Sequence, residues 1–395
     1  MEYILSFDIA KNNSVYCLID SNKNIIIEAT KISHNKIEFD KLLDELYLYK
    51  TLTVVMESTS IYHLPVENYF KNKNIRTVVI NPKLVKQFKD TLNKSKTDKL
   101  DCFKIARCYL GTIDNFYDKN DEYFKYNPLA RQYFSLLEGQ TRLKNRYRQL
   151  IDIIFPEFAL IFNDLYKDQA LNFIHDFPHP SLFINRRSDF LMNYLAEKNG
   201  TNKPYMYMNK VNKMKMLANE TLCFVDINSF QIQNLKQTIK LILNNKNEIN
   251  KIKEQLINYL KNSRQFKIIN SIPGFSEFST ALFLAEVGDI TRFDNKYQFI
   301  SFMGIDSVTS QSGKSAYHGS ISKSGSKFGR TLLFNIVNVI IQISAHSNPS
   351  NSIYLFFRKK QSEGKHHYKC IIACTNKLCK IIYKLCSSDC FYENK

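Results

Sequence analysis

The segments YILSFDI at residues 3–9 and TLTVVME at residues 51–57 decide the fold. Each is a short apolar run with an acidic residue at or near its end, a pattern typical of a buried strand. Antiparallel strands that give way to strand–helix alternation predict a mixed sheet covered by helices, an α/β domain. The other predicted elements are strands at 14–20, 24–31 and 75–80, and helices near 36–48 and 62–72 and after Pro82 and Asp98.

The rest of the chain is predicted to be helical, which makes the fold class α/β plus α. We expect three regions: an N-terminal domain at 1–127, a helical middle at 128–262 and a mostly helical C-terminal domain at 263–395. A heptad stripe in the middle predicts an imperfect coiled coil. The alternative is one long amphipathic helix that packs on its own domain. The stripe consists of Leu235, Ile242, Ile249 and Leu256, with Thr238, Asn245, Ile252 and Tyr259 at the second seam position.

The charge balance predicts a polyanionic partner. Lys and Arg number 55 against 37 Asp and Glu, a net charge of +18. The longest apolar stretch, residues 332–343, is interrupted by polar residues and predicts a core element rather than a membrane span. The first ten residues show no secretory signal, so we expect a cytoplasmic protein with no membrane partner.

The cysteines and histidines near the C-terminus do not predict a metal site. Five of the nine cysteines lie between residues 370 and 390, without paired C-x-x-C spacing, and apolar residues surround them in helical spacing. We expect them to pack as small reduced hydrophobic residues. His366 and His367, among several lysines, predict a basic surface.

Four carboxylates are the candidates for metal chemistry. Asp8 and Glu57 stand at strand ends, whereas Asp98 and Asp101 open a helix and share one of its faces. Converging carboxylates favour bound divalent cations, which neutralise them, and two Mg²⁺ ions could assist phosphodiester cleavage. Lys96 and Lys99 flank the helical pair, as contact with a phosphate backbone requires. Structural roles at a helix start or a strand end are the alternative for each acid.

A serine-, glycine- and lysine-rich loop at residues 306–325 is the second candidate site. Gly313 allows close backbone approach to a phosphate, Lys314 and Lys323 supply charge, and a serine hydroxyl could attack phosphorus. Composition alone does not choose among its serines, and a flexible linker or plain phosphate-contact loop remains open. Upstream, the turn at Gly274 is typical either of a helix-hairpin-helix that contacts the sugar-phosphate backbone or of a simple interhelical turn.

Together these segments resemble the IS110 family of insertion-sequence transposases, relatives of the Piv-type DNA invertases. Both ends of the chain carry the likeness, and the middle third carries little of it. Ser60, Cys102 and Ser324 stand where the family usually has Gly, Ala and a basic residue, but no proposed catalytic group is lost. The matching blocks are FDIAK (7–11), MESTSIY (56–62), VINP (79–82), KTDKLD (96–101), IAR (105–107), IPG (272–274), AEVGD (285–289), RF (292–293), Gly304, SGK (312–314) and ISKSG (321–325).

The resemblance implies an N-terminal RuvC-like domain of the ribonuclease H fold, with a metal-binding tetrad of Asp8, Glu57, Asp98 and Asp101. It implies a C-terminal transposase domain with Ser312 as the nucleophile, which forms a 5′-phosphoserine link to DNA. Further implied are Mg²⁺, with two ions expected and Mn²⁺ as the alternative, and a structured bridge RNA that pairs with target and donor DNA. The coiled coil would serve a homodimer or homotetramer in the bacterial or archaeal cytoplasm, at the nucleoid.

Two other functions remain open on the sequence. A metal-dependent nuclease or Holliday-junction resolvase would use the acidic tetrad alone, with water as the nucleophile and no covalent intermediate. A nucleic-acid-binding protein with vestigial sites would show only salt-dependent binding.

Overall fold

The N-terminal strands form one mixed sheet, as predicted. In the computed structural model the strand order is β3-β2-β1-β4-β5. β1 pairs antiparallel with β2 and parallel with β4, β2 pairs antiparallel with β3, and β4 pairs parallel with β5. The strands are β1 (Tyr3–Ile9), β2 (Asn13–Asp20), β3 (Ile25–Ser33), β4 (Leu52–Glu57) and β5 (Arg76–Ile80).

The structure describes residues 2–58, 61–80, 82–88, 98–111, 123–223, 225–312 and 315–393. They fall into two compact units, residues 1–119 and 120–395. The predicted regions 128–262 and 263–395 therefore both lie within the second unit.

Helices cover both faces of the sheet in the first unit. Alternate residues of β1 point to opposite faces: Phe7 packs in the cluster that contains Phe39 and Phe70, and Ile4 packs in the cluster that contains Ile105. The first cluster belongs to α1 and α2, and the second to α4. These elements are α1 (Lys36–Glu45), α2 (His63–Asn72), α3 (Pro82–Gln87) and α4 (Asp98–Gly111).

The second unit begins with a helical module. Its two longest helices, α5 (Asn127–Ile154) and α11 (Phe230–Leu260), run antiparallel, because Arg146 hydrogen-bonds Asn234 near one end while Tyr126 stacks on Tyr259 at the other. Shorter helices between them share an apolar core with the C-terminal half of α5 and the N-terminal half of α11. They are α6 (Phe158–Ile161), α7 (Asp168–Asp176), α8 (Ser181–Ile184), α9 (Ser188–Lys198) and α10 (Met208–Glu220).

The heptad stripe of α11 is buried within the chain itself. Leu235, Ile242, Ile249 and Leu256 are all at most 6% exposed. Asn245 donates from Nδ2 to the carbonyl of Leu136 at 3.0 Å and to Oε1 of Gln140 at 2.7 Å, both on α5. The seam thus has an intrachain partner, which matches the alternative of a long amphipathic helix that packs on its own domain.

Helices and one hairpin make up the remainder of the second unit. The serine- and glycine-rich segment, expected to be a loop, instead forms two antiparallel strands, because their backbone groups pair from Ser307–Ile321 to Ser312–Ser315. The elements are α12 (Arg264–Asn270), α13 (Glu277–Val287), α14 (Lys296–Met303), β6 (Ser307–Ser312), β7 (Ser315–Ile321), α15 (Lys327–Ser347), α16 (Ser352–Ser362) and α17 (His367–Ser387).

Helix α15 contains the longest apolar stretch. In the described part of the chain it is the one helix with the length and composition to cross a membrane. Leu333, Ile336, Val337 and Ile340 are buried along one side of it, which confirms the predicted core element. Four of the five C-terminal cysteines are likewise buried as small apolar residues: Cys370, Cys374, Cys379 and Cys386. The fifth, Cys390, follows the end of α17 and is exposed, so the prediction is wrong for this residue.

Candidate catalytic sites

Asp8 and Glu57 occupy neighbouring positions at the carboxyl ends of two parallel strands. The register pairs Phe7 of β1 with Met56 of β4, and each acid is the next residue of its strand. Paired strands lie about 4.8 Å apart. Phe7 and Met56 both face the cluster of α1 and α2, so the two acids face α4. Both are half-buried.

A hydrogen bond fixes where α4 begins over this sheet. The hydroxyl of Ser6 donates to the carbonyl of Cys102 at 2.7 Å. Near the other end of the helix, the hydroxyl of Tyr109 lies beside Glu2 and Thr53, which are at the amino ends of β1 and β4. Burial raises the pKa of Tyr109. Helix α4 therefore runs antiparallel to β1 and β4, and its first turn lies at the carboxyl ends of the two strands.

Small side chains allow α4 to lie close to the sheet. Cys17 of β2 is the partner of Ser6 in the register, and its thiol hydrogen-bonds that of Cys102. This contact and burial raise the pKa of Cys17. Cys102 is fully buried, so a small apolar side chain lies between the helix and the sheet.

The first turn of α4 carries the other two predicted acids. Asp98 is the first residue of the helix, and its side chain lies outside the described residues; Asp101 is half-buried one turn later. Among side chains that the structure describes, no three His, Cys, Asp or Glu residues converge closely enough to hold a metal ion. What fits a divalent cation is the pair of half-buried carboxylates, Asp8 and Glu57, side by side on the face of α4, because such oxygen atoms are hard ligands.

Ser312 is the last residue of β6, where the hairpin turns. Its register partner is Ser315, and Gly313 and Lys314 between them lie outside the described residues. The backbone runs through five residue steps from Ser307 to Ser312, a distance of about 17 Å at the usual rise per residue. The proposed nucleophile therefore lies at the turn end of the β6–β7 hairpin.

The base of this hairpin is tied to the end of α14. Ser322 donates from its backbone N–H to the carbonyl of Asp306 at 2.9 Å and from its hydroxyl to the Asp306 carboxylate at 2.5 Å. Lys323 donates its backbone N–H to the carbonyl of Gly304 at 3.1 Å. A Cβ on Gly325 would lie 1.9 Å from the carbonyl oxygen of Phe302, so only glycine allows this approach.

The predicted nucleic-acid contacts have different structural settings. Lys323 is exposed and has a φ of +52°, an uncommon conformation for a residue with a side chain. Gly274 has a φ of +92°, and a Cβ there would lie 2.4 Å from Cγ1 of Ile340, so packing on α15 accounts for this glycine and favours the simple interhelical turn. Lys96, Gly313, Lys314 and the side chain of Lys99 lie outside the described residues.

A buried acid joins α13 to α5 and to the start of α15, the helix that follows the hairpin. The sequence alone assigned no role to this residue. Glu286 of α13 is 1% exposed and accepts hydrogen bonds from Arg131 at 2.8 Å and from Asn127 at 3.2 Å, both on α5. It also accepts from the hydroxyl of Ser326, whose side chain caps the start of α15 through the N–H of Gly329. Burial raises the pKa of Glu286, while Ser326, Arg131 and Asn127 oppose that shift.

Two family models match the chain. Residues 5–156 match the DEDD-type IS110 model, described as a transposase. Residues 266–351 match the model described as the transposase IS116/IS110/IS902 family. The two matches cover more than half of the chain and contain the acids at the ends of β1 and β4, α4 and the hairpin. No curated protein matches the chain significantly.

Proposed function

Because this chain belongs to the IS110 family of insertion-sequence transposases, and is therefore a DNA transposase, we propose that it works as an RNA-guided serine recombinase. It would cut and rejoin DNA strands at the ends of its element and at a target. Two sets of its own residues would carry the chemistry. One is the acidic set of the first unit, and the other is Ser312 in the second.

The observation that carries this proposal is the register of β1 on β4. It sets Asp8 beside Glu57 on the face of α4, and the Ser6–Cys102 bond brings the first turn of α4 to the same end of the sheet. Two adjacent carboxylates that are partly withdrawn from water repel each other, and a cation bound by both relieves this repulsion. The DEDD-type match supports a divalent metal ion as the cofactor.

Asp8, Glu57, Asp98 and Asp101 would hold this metal. We propose Mg²⁺, as two ions, with Mn²⁺ as the alternative, because carboxylate oxygens suit hard cations. When bound, such ions stabilise the negative charge that develops on the phosphate and on the leaving oxygen. Lys96 and Lys99 beside the helical acids would hold the DNA backbone next to the metal.

Ser312 would supply the nucleophile. Its Oγ attacks the phosphorus of a DNA phosphodiester, the P–O3′ bond breaks, the serine proton is given up and the 3′ oxygen leaves as a hydroxyl. The 5′ end is then held as a phosphoserine ester. A 3′ hydroxyl from another strand attacks this phosphorus, the P–Oγ bond breaks and the serine regains its proton. Gly313, Lys314 and Lys323 would contact the phosphate during both steps.

Assembly and guidance complete the proposal. A homodimer or homotetramer would combine the acids of one subunit with Ser312 of another. A net charge of +18 is suited to holding both DNA and a structured guide RNA. The site of action would be the nucleoid in the cytoplasm.

The test is strand exchange between plasmids that carry the element's ends and a target, with the guide RNA and Mg²⁺ present. We expect Asp8→Asn to abolish cleavage, and Ser312→Ala to abolish exchange. Ser310→Ala, in the same strand, is the matched control and should behave as wild type. Cleavage that is unchanged in Ser312→Ala would establish the nuclease or resolvase function instead. Cleavage that persists in Asp8→Asn would contradict the metal site, and binding without cleavage in every protein would leave only a nucleic-acid-binding role.

A further inference from the structure

The junction of α16 and α17 is a strongly basic surface. Nine consecutive residues, 361–369, are exposed there. We define the α16–α17 surface by its five cations and the acid and three aromatic residues among them. They are Arg358, Lys359, Lys360, Lys365 and Lys369, with Glu363, His366, His367 and Tyr368.

The single acid of this surface offsets only part of its charge. Glu363 accepts from Lys360 at 2.8 Å and from Lys365 at 3.0 Å. These contacts lower the pKa of Glu363 and raise that of Lys360, so both of these groups stay ionised at neutral pH. Arg358, Lys359 and Lys369 add positive charge on exposed positions.

Aromatic rings lie among these cations. Tyr368 is 63% exposed, and its ring stacks on Phe334 of α15 at 6.1 Å and 19° and on His366 at 5.6 Å and 22°. His367 meets the ring of Phe357 edge-on at 5.6 Å. Near-parallel rings beside lysines are typical of surfaces on which nucleobases stack.

The charge of the chain is unevenly distributed. A general excess of lysine along the whole chain would not produce this difference between segments. Residues 157–228 carry eight Lys and Arg and eight Asp and Glu, whereas residues 352–395 carry nine against three. Both segments lie outside the two family matches. Residues 352–395 therefore carry a net charge of +6, whereas residues 157–228, the segment that contains α6 to α10, carry none.

From this combination we propose that the α16–α17 surface binds a single-stranded segment of nucleic acid. Phosphates would contact Arg358, Lys359 and Lys369, and an unpaired base would stack on the rings of Tyr368 and His366. RNA and DNA strands share this chemistry. The inference rests on the proposed function as a nucleic-acid recombinase, and adds a binding surface beyond the matched family regions.

The test is fluorescence anisotropy of the full-length protein with oligonucleotides of about 20 nucleotides, longer than most single-strand sites. Three probes of one sequence are used: an RNA strand, a DNA strand and a DNA duplex. The charge variant combines Arg358→Gln, Lys359→Gln and Lys369→Gln. Its matched control combines Arg186→Gln, Arg187→Gln and Lys203→Gln, three exposed cations of the neutral segment.

We expect the charge variant to make the negative slope of log affinity against log salt less steep by about two for a single strand, because each lost phosphate contact removes about 0.7. The control should keep the wild-type slope. Tyr368→Ala should weaken single-strand binding about tenfold and leave duplex binding unchanged, and Tyr368→Phe should bind as wild type. The strand that loses more affinity identifies RNA or DNA as the natural ligand.

The proposal is overturned if the charge variant and its control have the same salt slope, or if Tyr368→Ala weakens duplex and single-strand binding equally. No cleavage enters this experiment. A chain that binds strands through this surface but does not recombine them would contradict the proposed function and leave the surface intact.

Discussion

The hydroxyl of Ser6 bonds the carbonyl of Cys102 at 2.7 Å, and this contact joins β1 to α4 two residues away from Asp8. Strand and helix are separated by more than ninety residues of sequence. The bond sets the height at which α4 starts along the sheet, and with it the position of Asp101 relative to the strand ends.

Removing this hydroxyl should loosen the start of α4. We expect Ser6→Ala to lower the free energy of unfolding by about 1 kcal/mol, the usual net value of one buried hydrogen bond. The rate of metal-dependent cleavage should fall by more than the loss of stability accounts for, because small displacements of catalytic groups slow the reaction strongly. Thermal unfolding and cleavage rates measure both effects. Ser21→Ala, at an exposed turn, is the control, and equal effects of the two variants would contradict the role of Ser6.

Gly325 should tolerate no side chain. Its missing Cβ would lie 1.9 Å from a backbone oxygen of Phe302, which cannot move without shifting α14. We expect Gly325→Ala to cost about 3 kcal/mol or more in unfolding free energy and to abolish strand exchange. Denaturant unfolding provides the measurement.

The matched control is Gly139→Ala on α5, where nothing lies within 4 Å of the added Cβ. It should be neutral or stabilising by up to about 1 kcal/mol, because alanine favours helix. A Gly325→Ala protein of wild-type stability would contradict the close packing of the hairpin base.

The α11 seam should contribute to stability within one chain. Asn245→Ala removes the hydrogen bonds to Leu136 and Gln140 and should cost about 1–2 kcal/mol. Asn247→Ala, exposed on the same helix, should cost little. Light scattering should give the same oligomer mass for both variants as for wild type. A loss of oligomer mass in Asn245→Ala alone would show that the seam joins separate chains.

Glu286 should make stability depend on pH in a specific direction. Burial raises its pKa above the usual value of 4.5, so the folded protein binds this proton more tightly than the unfolded chain does. As the pH falls from neutral towards this raised pKa, wild type should gain stability relative to Glu286→Gln, which cannot titrate. As the pH rises again, this relative gain should be lost.

The measurement is the melting temperature of both proteins between about pH 7 and pH 4.5, the range above the ordinary pKa of a glutamate side chain. Glu277→Gln, exposed on the same helix, is the control. A difference between wild type and Glu286→Gln that stays constant with pH, or grows in the opposite direction, would contradict the raised pKa of Glu286.

The sequence predicted the sheet and its acidic strand ends because both follow from local pattern. Apolar runs that end near Asp8 and Glu57 indicate buried strands, and parallel strands bring their carboxyl ends together. The hairpin at 307–321 was not predicted, because its serines and glycines are typical of loops, and the preference of a residue for a strand depends on its surroundings.

Side-chain contacts between residues that are distant in sequence were not predicted either. Glu286 meets Arg131 and Ser326, which lie 155 and 40 residues away along the chain. No spacing rule connects such positions. The heptad stripe of α11 is likewise the same pattern whether its partner helix is α5 of the same chain or a helix of another chain.

The most direct measurement of the central claim is the identity of the amino acid that carries DNA during the reaction. Wild type is incubated with the element's ends, the guide RNA and Mg²⁺, then denatured, digested with nuclease and protease, and analysed by mass spectrometry. We expect a nucleotide linked through its 5′ phosphate to Ser312. This adduct should also form in Ser310→Ala and be absent in Ser312→Ala. A nucleotide on another residue, or cut DNA with free 5′ phosphates and no protein adduct, would contradict serine recombination by this chain.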